Sequence, residues 1–335
     1  MDVDRLHSPS RRDFLKGVAL IGSVAFLDAA CSTQNQAAAP QSEALHTTPP
    51  TESHTTVPTP EVTASPSETI PVPEMDPSKP WVYDFGKLPD GPIPERDWNY
   101  ITGTDIPDIH GEAEIYTSRP ENVRVQNGLL VIEGRKENYG GRAFTSARID
   151  TKGKFAFTYG HIEVLMEVPD GVGSWPAAWM MPDQPMYNPD DFGVGANDPY
   201  RWAMNGEIDF AEMIGSIPGQ NIPAAHSIGR LRAGVDYTPG TISKPYTQFH
   251  RYGLIKTPDK LTFTIDGKPF AHRTPNSNSP MDWPFNQPYY LILDLALGGT
   301  WAGSEKQKYP PYGIDTKHSP WLMRIKQIYY KPIKA

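Results

Sequence analysis

Between Asn205 and Met213 the chain places three carboxylates, Glu207, Asp209 and Glu212, within six residues of an otherwise apolar, β-prone run. On a regular strand residues two apart share a face, so Glu207 and Asp209 point one way and Glu212 the other. That split would leave at least one acid in the core, where an unpartnered charge is costly. A β-bulge around Phe210-Ala211 adds one residue, shifts the phase and returns Glu212 to the face of the other two. Two glutamates opposed across a small gap, with an aspartate between them, suit glycosidic cleavage with retention. One carboxylate attacks, the other donates and later accepts a proton, and the third charge sets their protonation. The same residues also fit a solvated edge strand with scattered acids, so the neighbouring sequence must decide.

Just upstream, Gly173 to Pro182 sets Trp175 and Trp179 four residues apart among proline and small residues. They are either core aromatics or a cleft wall, where flat rings stack on the apolar faces of sugars while polar groups read the hydroxyls. Trp179 is the more structural candidate. Strand-like runs recur throughout this region, separated by turn signals such as Gln126-Asn127-Gly128 and Asp266-Gly267-Lys268. No long helical periodicity competes, which predicts an all-β, antiparallel two-sheet sandwich. There is no internal repeat, no phosphate-cradling glycine loop and no Cys/His cluster with metal spacing, so neither a zinc site nor another metal is expected.

The chain has 335 residues and a formal charge of -8. From residue 80 onward 26 basic face 29 acidic residues, a near-neutral balance that gives no reason to expect a nucleic-acid partner. Ser10-Arg11-Arg12-Asp13-Phe14-Leu15-Lys16 followed by an apolar segment from Gly17 to Leu27 predicts a twin-arginine export signal over residues 1–31. The single cysteine, Cys31, sits where bacterial lipoproteins are processed, although Asp28 occupies a position usually held by leucine. Lipidation of Cys31 would anchor the protein at the membrane; without it the protein is secreted or periplasmic. No disulfide within the chain can form. Residues 32–79 are rich in Thr, Pro, Ser, Ala and Glu and cannot bury enough apolar surface to offset their ordering entropy, so a disordered tether is expected. The folded domain is expected over 80–335, as a monomer.

In this domain the order TSARIDTKGKFAFTYGHIEV, GSWPAAWMMP, NGEIDFAEMIG, FHRYGLIKTPDKLTFTIDGKPF and YYLILDLALGGTWAG resembles the bacterial laminarinase branch of glycoside hydrolase family 16. The resemblance implies a concanavalin A-like jelly roll with a substrate cleft on its concave face and endo-hydrolysis of β-1,3-glucan with retention. Carried onto this sequence, it makes Glu207 the nucleophile, Glu212 the acid/base and Asp209 the residue that tunes them. It also implies that Arg148, Trp175, Trp179, His226 and Trp301 are substrate-binding residues, with His226 near the acids and Trp301 on the opposing wall. Glu112 and Asn122 match further substrate-binding positions, whereas His110-Gly111 stands in place of a common asparagine pair. Retention calls for carboxyl groups about 5–5.5 Å apart. Other polysaccharide specificities (mixed-linkage glucan or a galactan), transglycosylation, and a non-catalytic carbohydrate-binding wall protein are the alternatives.

Two departures carry further expectations. Arg324 replaces an aspartate that often binds calcium in the family, and Asp84 replaces a glutamate ligand. A guanidinium offers no oxygen, so no calcium is expected and Arg324 is expected to pair with Asp84 instead. The stretch from Asp183 to Met204 is too long for a tight connection and either narrows one end of the cleft or decorates its rim.

Overall fold

The computed structural model describes residues 74–104, 111–234, 240–241, 247–303 and 308–334. The export signal, Cys31 and His110 therefore lie outside the described residues. Asn-Gly and Asp-Gly turns close hairpins where expected: Asn127-Gly128 has φ of 53° and 74°, and Asp266-Gly267 has 51° and 73°. Positive φ at both central residues matches the twist of the flanking strands, which pair directly as Gln126 with Leu129 and Ile265 with Lys268.

The strands form two main sheets. One has ten strands and contains Gly160–Glu167, His250–Thr257, Lys260–Ile265, Leu129–Tyr139 and Trp321–Pro332. The other has seven, running from Ala224–His226 through Glu207–Glu212, Ser174–Pro182 and Tyr289–Leu297 to Arg148–Asp150 and Asn99–Ile101, with Ala156–Phe157 added beside Tyr289–Leu297. Ile162, Val164, Leu254, Phe263 and Ile325 of the first share one apolar core with Ala178, Met180, Ile208, Phe210, Leu291 and Leu293 of the second. The expected jelly-roll sandwich is present, with one exception to its antiparallel pairing among the described residues: Glu114–Tyr116 runs parallel to Arg142–Ser146.

In the absence of disulfides, packing carries the stability. Trp81, Phe155, Phe157 and Tyr330 form an aromatic knot with ring centroids 4.9–5.8 Å apart. Pairs of this kind add about 0.5–1.5 kcal/mol each beyond the area they bury. Met75 is buried in the same core and the carbonyl of Pro77 accepts from the Tyr330 hydroxyl (2.9 Å), so packed structure starts ahead of the expected boundary at residue 80.

The expected Arg324–Asp84 pair does not form. Strand register sets Arg324 opposite Glu167, with which it pairs, and Asp84 opposite Gln327, whose amide reaches it over 3.0 Å. Asp84 also caps the turn at Phe85–Lys87 by accepting from the Gly86 amide. Arg324 lies three residues along its strand from Gln327, the position opposite Asp84, and this is enough to give Arg324 and Asp84 different neighbours.

Candidate active site

The bulge expected from the acid spacing is present. Ala178 pairs with Ala211 while its neighbour Trp179 pairs with Asp209, leaving Phe210 as the additional residue. Ile208, Phe210 and Ala211 all enter the core, so Glu207, Asp209 and Glu212 share the outer face. A bulge orphans backbone groups that the ladder would otherwise satisfy. Asn221, wholly buried, supplies both missing partners: its carboxamide oxygen accepts from the Glu212 amide (2.9 Å) and its nitrogen donates to the Phe210 carbonyl (3.0 Å).

The other end of the strand is fixed at Asn205 and Gly206. Gly206 has φ of 77°, and a Cβ there would lie 2.5 Å from the Tyr289 hydroxyl, so only glycine fits the turn. The Asn205 carbonyl accepts from the Tyr289 hydroxyl and from Gln287 Nε2 (3.1 Å), while its side chain bonds both backbone groups of Tyr187. Beneath Gln287 lies Lys256, fully buried, with its amine donating to the carbonyls of Thr158 and Gln287. Burial holds the pKa of Lys256 well below the usual lysine range.

Asp209 is 4% exposed and lies 3.0 Å from His226 Nε2; the same nitrogen is 3.7 Å from Glu207. His226 stands directly across from Glu207 on the edge strand, as expected of a residue near the acids. Glu212 accepts from Trp175 Nε1 at 3.0 Å. Its pKa is raised well above the usual carboxylate range, first by burial, then by the Asp209 carboxylate and, less strongly, by Glu207. His226 and the Trp175 indole pull in the opposite direction. The site thus sets one carboxyl group whose pKa is raised beside two further acidic side chains, the division of labour that acid/base chemistry with a nucleophile needs.

One donor atom from each of Glu207, Asp209 and His226 lies within 4.8 Å of the other two, a spacing that also suits a divalent cation. An ion there would occupy the carboxylates left to act beside Glu212, so it would compete with that chemistry.

The substrate-binding candidates divide. Trp175 and Trp301 meet edge to face at 5.2 Å. Trp301 therefore belongs to the Trp175 wall and not to an opposing one; the helix Gly299–Ala302 that carries it directly follows the strand adjacent to Trp175. Trp179 Nε1 and Arg148 Nε bind the two oxygens of Asp294 at 3.1 and 2.7 Å, forming a polar floor beside the acids. Glu112 is buried and bridges Gly298, at the turn leading to Trp301. Asn122 is not placed to meet a substrate. It is fully buried, holding Thr117, Thr145 and the Glu133 carbonyl together, a structural task for a polar side chain next to irregular backbone.

Sequence reasoning missed Asn221 and Asp294. Asp294 had a readable signal, being the lone acid in the nine-residue buried strand Tyr289–Leu297.

A β-sandwich with paired glutamates and half-buried tryptophans on the outer face of one sheet has the build of a carbohydrate-cleaving enzyme. The chain belongs to glycosyl hydrolase family 16, whose model matches residues 111–313. The β-glucanase of Rhodothermus marinus is 36% identical over 255 residues, covering 71% of this chain and 78% of that protein. The laminarinase structure from the same organism superposes with a TM-score of 0.67 at 31% identity, over 77% of this chain and 98% of that one. The non-specific endo-β-1,3(4)-glucanase SCLam gives 0.64 at 30%, over 79% and 95%.

Proposed function

We propose that this chain cleaves β-1,3-glucan internally with retention of anomeric configuration. The observation that carries the mechanism is the Phe210 bulge, which sets Glu207 and Glu212 on one face, where burial and Asp209 raise the pKa of Glu212. Glu207 attacks the anomeric carbon while Glu212 protonates the departing oxygen. Once the ester forms, Glu207 no longer carries charge, the pKa of Glu212 falls, and it takes a proton from the water that releases the sugar. Asp209, oriented by His226, supplies the charge that keeps Glu212 protonated at rest. Trp175, Trp179, Trp301 and Arg148 line the sugar path.

The kinship with laminarinases supports β-1,3-glucan as substrate, and the likeness to SCLam favours tolerance of mixed linkages as a second reading. Reducing-sugar release from β-1,3-glucan, mixed-linkage glucan and galactan, with Glu207→Gln as control, tests both. Activity confined to galactan, or equal turnover by the control, would overturn the assignment.

We also infer export through the Arg11-Arg12 signal and a lipid on Cys31 holding a monomeric domain at the cell surface. Mass spectrometry of the mature amino terminus and light scattering test these two points.

A further inference from the structure

Of the eight tryptophans, Trp202 alone is exposed, at 43%. It sits in the turn Arg201–Asn205 that leads into the catalytic strand, with its ring 5.6 Å from that of His226 and inclined at 62°. Its neighbours Ala203 and Met204 are fully buried in a separate apolar cluster with Val194, Ile228 and Leu231. Arg201 pairs with Asp190 at 2.7 Å, Arg232 with Asp198 at 2.5 Å, and Asn205 ties the turn to Tyr187. The segment from Asp183 to Met204 is thus a braced wall. It holds a large apolar ring in water beside the reacting groups, an arrangement with no packing benefit of its own.

The order of strands gives the ring its place. Trp179, Asp294 and Arg148 lie on one side of the acids, and His226 with Trp202 on the other. A polysaccharide lying across the strands and cut at the acids must extend both ways. On the inner side Trp179 and Arg148 cover Asp294, which is 3% exposed; on the outer side the Trp202 ring stands in water and leaves that side the more open. In a retaining reaction the donor sugar stays covalently attached while the leaving sugar departs and water or a new acceptor enters. The open side suits that exchange.

We propose that Trp202 is the stacking platform for the sugar on the leaving-group side, a site that also receives acceptors. This rests on the retaining mechanism above. When an acceptor occupies it, the acceptor hydroxyl oxygen bonds the anomeric carbon, the ester bond to Glu207 breaks, and the hydroxyl proton passes to Glu212.

β-Laminaribiosyl fluoride isolates this side, because fluoride as leaving group needs no platform. Trp202→Ala is expected to keep kcat/KM on the fluoride within about 2-fold, yet to lower transfer to methyl β-glucoside relative to hydrolysis by about 5-fold or more. Trp202→Phe should retain most transfer. Equal loss on the fluoride, an unchanged transfer ratio, or a wild-type enzyme that only hydrolyses at saturating acceptor would overturn the proposal. Failure of the wild type to consume this fluoride would instead count against β-1,3-glucan as substrate. The same two readouts taken with β-cellobiosyl fluoride then judge Trp202 on its own.

Discussion

Trp175 Nε1 donates a hydrogen bond to Glu212 Oε1 over 3.0 Å, so the ring proposed to line the sugar path also bears on the protonation of the proposed general acid. The indole favours the ionised carboxylate and offsets part of the rise caused by burial and by Asp209. Trp175→Phe keeps an aromatic face and removes the donor. Glu212 should then hold its proton to higher pH, and the alkaline limb of kcat/KM should move up by about one pH unit, the value of one hydrogen bond to a charged group. An acid-ward shift in the pH profile would contradict this.

Asp209→Asn should act with the opposite sign. Removing the anion that most raises Glu212 after burial itself lowers that pKa, so the acid form is lost at lower pH. The alkaline limb is expected to move down, with turnover at neutral pH reduced by about 10²-fold, the low end for losing general acid catalysis. Rate profiles from pH 4 to 9 on soluble β-1,3-glucan check both limb and amplitude.

Asn221 satisfies the two backbone groups that the bulge orphans. Asn221→Ala leaves them buried without partners and should destabilise the domain by about 1–3 kcal/mol in denaturant unfolding. Because the bulge turns Glu212 to the face of Glu207 and Asp209, the proposed mechanism predicts that kcat falls more steeply than in a core variant of equal instability, such as Ile162→Ala. Equal kcat in the two would mean that the bulge holds its shape without Asn221.

The bulge was readable because, on a strand with one buried face, a single extra residue returns all three acids to the other face. Both glycine hairpins were readable because their φ values suit few other residues. The partners of Arg324 and Asp84 were not, since they depend on the register between strands far apart in sequence. Asn122 and Asn221 look alike as isolated asparagines, and burial beside irregular backbone is what makes both structural. The exposure of Trp202 follows from the small cluster around Met204 and Ile228, which no local pattern announces.

Glu114 offers a pH test of stability away from Glu207, Asp209 and Glu212. It is buried, with one oxygen accepting from the Leu297 amide, and its pKa is pushed from 4.5 to about 8, mainly by burial. Between those values the folded state binds the proton that the unfolded chain releases. Stability therefore falls as pH rises from about 4.5 to about 8, with a slope of up to about 1.4 kcal/mol per pH unit. Glu114→Gln should match the wild type near pH 4.5 and gain on it progressively up to pH 8 in thermal unfolding. A constant difference across that range would show that Glu114 does not titrate in the folded protein.

The central claim, a covalent glycosyl-enzyme at Glu207, is tested most directly by trapping. Incubation with a 2-deoxy-2-fluoro-β-laminaribioside bearing a good leaving group slows both half-reactions and accumulates the ester. Peptide mass spectrometry should then find one added disaccharide, carried by Glu207 and absent from the Glu207→Gln protein. A label on Glu212, or inactivation-free turnover with inversion of the anomeric centre, would contradict the account.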